Sequence, residues 1–220
     1  MFESHKICIA GLPGIGSVGK VASEYLVTAL ECSTFKPFFS SGFPAQVMVS
    51  DGLSYLLHAE LKVPKSRENM FILSGDAQPL EVEEMYALAG EILETLKAEG
   101  VEDVITLAAF VGDTKEKVLG AASDSEGTAL LTENKVPLLT SGAIGGLNGL
   151  LAGLAPLYKM RGFCLLGTSS GADPVDLDAA SNLLELINDL FKLDLDIALM
   201  EPEEEVPEEI VPDEVDMNYR

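Results

Sequence analysis

The chain has 220 residues and carries 36 acidic against 14 basic side chains, a formal charge of −22. A surface this acidic repels phosphate backbones and anionic headgroups, which argues against general nucleic-acid binding and membrane-surface binding. Hydrophobic residues make up 47% of the chain and aromatics only 6%, with no Trp, a composition suited to buried parallel strands covered by helices.

In chain order, Met1 to His5 run straight into an apolar strand over Lys6 to Ala10, so no targeting segment is expected. The glycine-rich turn that follows opens a helix with Val18, Val21, Ala22, Tyr25, Leu26 and Ala29 on one face. Gln46 to Ser50 and Leu53 to Val63 read as two strands of a hairpin. Asp51-Gly52 between them is the dipeptide a tight type I′ turn favours. Met70 to Ser74 is a buried strand ending in Gly75-Asp76. A helix from about Glu81 to Ala98 follows, expected to bury Val82, Met85, Ala89, Ile92, Leu93 and Leu96 before Gly100 ends it.

Val104 to Val111 is a third apolar strand, closing with Gly112-Asp113. Val118 to Ala122 reads as a short strand, Thr128 to Asn134 as a short helix and Val136 to Leu139 as another strand. Glycines from 142 onward lead into a helix carrying Leu147, Leu150, Leu151 and Leu154, and Phe163 to Leu166 is the last core strand. In the final helix Asp173 is the expected cap, with Pro174 in the first turn and Asp176 at the positive end. Strands alternating with helices predict an α/β fold with a mostly parallel sheet covered on both faces, plus one antiparallel hairpin. One domain is expected over residues 1–198.

Residues 199–220 read as a separate acidic tail. From Glu201 to Arg220 there are nine acidic residues, three prolines and one base, a composition that favours an extended, poorly folded segment. The remainder keeps 27 acids against 13 bases and so stays at −14 without it. The three cysteines, Cys8, Cys32 and Cys164, lack metal-ligand spacing, and Cys8 and Cys164 fall within apolar runs as buried free thiols do. A cytoplasmic location without cofactor or metal is the resulting expectation.

Four features invite a chemical reading. Gly14-Ile-Gly16-Ser-Val-Gly19 spells a dinucleotide-binding turn, and Gly14 to Lys20 spells a phosphate loop. Val21 stands where the magnesium-binding hydroxyl is needed, and no acid follows at the end of the second strand to bind a ribose. A tight turn that lets helix and strand pack closely explains the same glycines. Gly167 to Gly171 spells a nucleophile elbow centred on Ser169, but both histidines, His5 and His58, precede it. Asp76 and Asp113 sit at strand ends, where ligands of open α/β sheets collect, although Asp is also common in turns for local reasons. A ligand crevice would draw on Gly14, Gly16, Asp76, Asp113 and Ser169. Finally, the chain ends Asn218-Tyr219-Arg220 on a stalk from Glu201 to Asp216 that reaches about 50 Å when extended. A penultimate Tyr and a free carboxylate suit a partner's pocket.

Three segments, "GLPGIGSVGKVASEYL", "GAIGGLNGLLAG" and "GFCLLGTSSGADPVDLDAASNLLELI", resemble the archaeal branch of the proteasome assembly chaperone family. The similarity runs from about residue 7 to 195, with the three motifs in order. It implies a three-layer α/β/α sandwich similar to the phosphorylase/hydrolase-like fold, without that catalytic site. It also implies self-association and an ATP-independent role in assembling or activating the proteasome core. Some members carry ATP-grasp or ligase-like descriptions, so a small-molecule or nucleotide enzyme using the strand-end crevice is the alternative. In the same branch a C-terminal hydrophobic-Tyr-any-residue tripeptide docks between α subunits of the core. Tyr219 matches the Tyr and Arg220 the last residue, while Asn218 departs from the apolar first position. The resemblance thus implies partner contacts by Asn218, Tyr219 and Arg220.

Overall fold

The structure, a computed structural model, describes residues 5–197. Nine strands and five α-helices follow in chain order: β1 (Ile7–Gly11), α1 (Val18–Ala29), β2 (Ser33–Phe38), β3 (Val47–Ser50), β4 (Leu53–Leu56), β5 (Ala59–Val63), β6 (Met70–Gly75), α2 (Val82–Ala98), β7 (Asp103–Phe110), β8 (Val118–Ala122), α3 (Ser125–Glu133), α4 (Gly146–Leu154), β9 (Arg161–Thr168) and α5 (Leu177–Phe191). Seven strands form one sheet in the order β2-β5-β6-β1-β7-β9-β8, and β3 and β4 form a separate two-stranded ribbon. The central four strands, β6-β1-β7-β9, are parallel. The flanking strands are antiparallel to their neighbours.

Alternation along β1 sorts its side chains between two cores, as the two-residue period of a strand requires. Ile7 and Ile9 join α1, α3 and α5 on one face, with Val18, Ala22, Leu26, Leu131, Leu183 and Ile187. Cys8 and Ala10 face α2 and α4 on the other, among Leu88, Ile92, Leu147 and Leu151. The result is the expected helix–sheet–helix sandwich.

Four local expectations change. Leu53 to Val63 is two strands: β4 stays in the ribbon, and β5 enters the main sheet between β2 and β6. The break falls at Leu57-His58, where the Asp76 carboxylate accepts from the His58 amide at 3.1 Å. Val136 to Leu139 forms only an isolated bridge between Gly120 and Leu138, since Pro137 has no amide to extend a ladder. Val82 is exposed instead of buried, because the apolar stripe of α2 begins a turn later and runs through Leu88, Ala89, Ile92, Leu93 and Leu96. The cap of α5 is Asp176, whose carboxylate accepts from the Ala179 amide at 2.9 Å. Asp173 lies too far upstream to reach that turn.

At the amino ends of the parallel strands, Asp103 and Arg161 stand side by side in register at the starts of β7 and β9. Arg161 donates to the fully buried Asp103 carboxylate through Nε at 2.6 Å and a terminal nitrogen at 3.0 Å. His5 Nδ1 lies 2.8 Å from the second Asp103 oxygen. The bidentate pair ties two neighbouring strands together, and His5 ties in the chain entering β1.

All three cysteines are free thiols, Cys8 and Cys164 buried and Cys32 half-buried. Burial pushes the Cys8 thiol far above its ordinary value. It raises Cys164 too, against a hydrogen bond with Thr106, and pushes Cys32 up to about 11. Because the thiolate is the reactive form, a disulfide reagent at pH 8 is expected to modify Cys32 slowly and leave Cys8 and Cys164 untouched. Absorbance of the released thiolate, followed with and without denaturant, checks this: the folded chain releases one equivalent slowly, and all three equivalents appear once it unfolds.

Candidate functional site

The glycine turn between β1 and α1 sits at the carboxyl ends of the parallel strands. Gly16 has φ +57°, a left-handed conformation that glycine adopts without strain. On either side of it, Gly11 and Gly19 let α1 lie directly on the sheet. A Cβ on Gly11 would fall 1.9 Å from the Gly19 carbonyl oxygen, and one on Gly19 would fall 2.1 Å from that of Leu107. Gly11 and Gly19 therefore serve helix–strand approach.

The rest of the phosphate-loop spelling is turned to other contacts. Lys20 Nζ pairs with Glu24 on its own helix and donates to the Gly75 carbonyl at 3.3 Å. The Ser169 segment clasps the turn from outside. The Asp176 amide donates to the Gly16 carbonyl at 2.8 Å, and a Cβ on Gly16 would lie 3.5 Å from Ser169 Oγ. Ser169 itself is buried, with its amide donating to Phe110 and its hydroxyl accepting from the Gly171 amide at 3.0 Å. Neither histidine serves it: His5 is bound at the amino ends of the strands, opposite Ser169, and His58 adjoins β6, three strands from β9. That separation is about 14 Å of sheet. The two motifs that read as catalytic loops are packed against each other.

Between the Gly14 turn and residues 142–148 lies a crevice of about 520 Å³. Its lining includes Leu12, Gly14, Gln78, Phe110, Ile144 and Asn148, and every lining residue is uncharged. The two amides already bridge main chain. Asn148, buried within α4, accepts from the Leu12 amide at 3.1 Å and donates to the Leu12 carbonyl at 3.0 Å. Gln78 donates to the Pro13 carbonyl and accepts from the Leu147 amide at 2.6 Å. They hold the β1 turn and the start of α4 at a fixed separation. The crevice offers apolar area and backbone, with no side-chain charge to balance a phosphate.

Of the residues expected to gather there, Gly14 lines the crevice. Gly16 and Ser169 lie in the clasp beside it. Asp76 lies in a different trough at the end of β6, with Glu24, Tyr55, His58, Glu60 and Lys62. There its carboxylate approaches His58 Nδ1 at 3.2 Å. Asp113 is exposed in the loop after β7. No group of three or more His, Cys, Asp or Glu side chains fit to hold a metal occurs among the described residues, and none of their helices is long and apolar enough to cross a membrane. Asn218, Tyr219 and Arg220 lie outside the described residues.

Two features escaped the sequence reading. Asn148 interrupts the apolar helix "GLNGLLAGL" one residue after the buried Leu147, and a lone amide in such a stripe is the available signal for a main-chain clamp. The second is the β3–β4 ribbon, whose eight residues are all exposed. Its apolar strands gave no sign that they would stand exposed among the described residues.

A mixed sheet between two helical layers, carrying its glycines at packing contacts, defines the class of α/β sandwich to which the chain belongs. More narrowly, the chain belongs to the PAC2 family, whose model matches residues 8–214. It is similar to the Pyrococcus furiosus archaeal proteasome activator PbaB, with 29% identity and a TM-score of 0.81 over 89% of this chain and 87% of that one. It is also similar to P. furiosus PbaA, an archaeal homolog of proteasome-assembly chaperone. There the identity is 26% and the TM-score 0.78, over 89% of this chain and 81% of that one. A Methanocaldococcus jannaschii protein without an assigned role is 34% identical over 200 residues, covering 89% of this chain and 77% of the relative.

Proposed function

We propose that this protein is a non-enzymatic, self-associating chaperone or ATP-independent activator that binds the proteasome core particle in the cytoplasm. The observation that carries this reading is the likeness to PbaB, an archaeal proteasome activator, at 29% identity across nearly the whole sandwich. The uncharged crevice, its amides engaged with main chain, agrees with a role other than nucleotide chemistry.

In this reading residues 1–198 form the body and 199–220 a tail that docks between core α subunits through Asn218, Tyr219 and Arg220. The Tyr ring would fill an apolar pocket and the terminal carboxylate would pair with a cation there. Asn218 supplies less apolar area than the first position of such a tripeptide calls for, so each tail binds weakly. Several tails on one oligomer would raise the overall affinity by about 10²–10⁴.

The test is a pull-down of proteasome cores by the full chain and by a chain lacking Asn218 to Arg220. The full chain is expected to retain cores, and the truncated one to lose at least about tenfold of that recovery. Equal recovery by both chains would remove the tail from the reading, and no recovery by either would remove the partner.

A further inference from the structure

We propose that the β3–β4 ribbon is the surface on which a second copy of this chain docks. The ribbon leaves the main sheet between β2 and β5, held at its base by the buried Phe43 and Leu57. Beyond that base all eight of its residues are exposed among the described residues. Register places Val47 opposite Leu56 and Val49 opposite Ser54 on one face, and Met48 opposite Tyr55 on the other. The Tyr55 face leans on His58, whose ring centroid lies 6.2 Å away. The Val47–Val49–Leu56 face is open: Val49 is 66% and Leu56 61% exposed. It runs into a groove of about 570 Å³ lined by Phe39, Phe43, Pro44 and Leu57.

An isolated two-stranded ribbon is marginal in water, and this one is apolar on both faces. Its exposed side chains, with Phe39, present apolar surface on the order of 500 Å², as large as the largest patch of a typical monomer. That is more than half of the roughly 800 Å² per partner that a stable interface covers.

Charge selects the occupant. Residues 37–57 contain one formal charge, Asp51, in a chain of net charge −22. Two copies repel each other across most of their surfaces, so a neutral apolar patch is where they meet at least electrostatic cost. A basic partner would find its complement elsewhere on the acidic surface. The patch pairs a protruding ribbon with an adjacent groove, so a two-fold arrangement lets each ribbon cover the other's groove.

This inference rests on the self-association included in the reading above, and the experiment separates the two. Sedimentation velocity is run on the full chain, on V49E/L56E, and on a S54C variant in a C32S background under mild oxidant. The wild type is expected to associate at micromolar concentration. The double variant is expected to weaken that association at least about 100-fold with an unchanged circular dichroism spectrum. S54C is expected to yield a disulfide-linked dimer. If the wild type associates but the folded double variant associates equally and S54C does not cross-link, the ribbon is not the docking surface and self-association stands. Should the double variant misfold, the S54C cross-link decides alone. A wild type that stays monomeric at tens of micromolar overturns both statements and leaves the proteasome pull-down unaffected. Loss of association on removing residues 199–220, with S54C unlinked, would place the contact in the tail.

Discussion

G19A is expected to destabilise the fold by about 3 kcal/mol or more, read as a large drop in the urea midpoint with an unchanged slope. The added methyl would sit 2.1 Å from the Leu107 carbonyl oxygen and 2.9 Å from its carbonyl carbon. Both atoms belong to the backbone of β7, which pairs with β1 on one side and β9 on the other. No rotamer change relieves such a contact. Either α1 lifts off the sheet, opening the core around Val18, Ala22 and Leu26, or β7 shifts against its partners. G153A supplies the contrast. A Cβ there meets nothing within 4 Å, and Gly153 lies inside α4 with an ordinary φ. That change is expected to stabilise by about 0.5–1 kcal/mol through helix propensity and a less free unfolded chain. If G19A were tolerated as readily as G153A, the glycines of the first motif would need an explanation other than close approach.

The same contact explains why the fold could be read from sequence while the site could not. Buried runs such as Ile7–Ala10, Met70–Ser74 and Val104–Leu107 announce central strands because both faces of the sheet are covered, and the helices show their 3.6-residue stripe. Family membership was legible from three glycine motifs taken together, since each glycine reports a geometric demand of one particular packing. What escaped depends on tertiary placement. Nothing local shows that Leu53–Val63 divides between a ribbon and the main sheet, because the division is made by the Asp76 carboxylate at the His58 amide, eighteen residues away. Asp76 sits at a strand end as expected, yet β1 separates its strand from β7, whose following loop carries Asp113. Ser169 and Gly16 are neighbours, but packing against each other is what their neighbourhood accomplishes. Strand ends are easy to locate from sequence; which of them share a crevice is set by sheet order.

D103A is expected to cost about 3–5 kcal/mol, the range for breaking a buried ion pair by removing one partner. Asp103 is fully buried, and both oxygens are engaged, one by Arg161 Nε and the other by Arg161 and His5. The hydrogen bond that Arg161 donates to Asp103 raises the Arg161 pKa above its already high ordinary value, with burial opposing and nearby acids assisting. Arg161 therefore stays charged at every pH at which the chain folds, and removing Asp103 leaves this partly exposed cation between the starts of β7 and β9 without its bidentate acceptor, with Asp124 and Glu126 still near. The double change D103L/R161M removes both charges and is expected to recover most of the loss, because well-packed apolar pairs often match buried ion pairs in stability. Chemical denaturation of the two single variants and the double variant gives the coupling directly. A coupling near zero would mean that the strand starts are held by the ladder alone. The expected value of several kcal/mol would make this cluster, at the amino ends of the strands opposite the glycine turns, the polar lock on the parallel core.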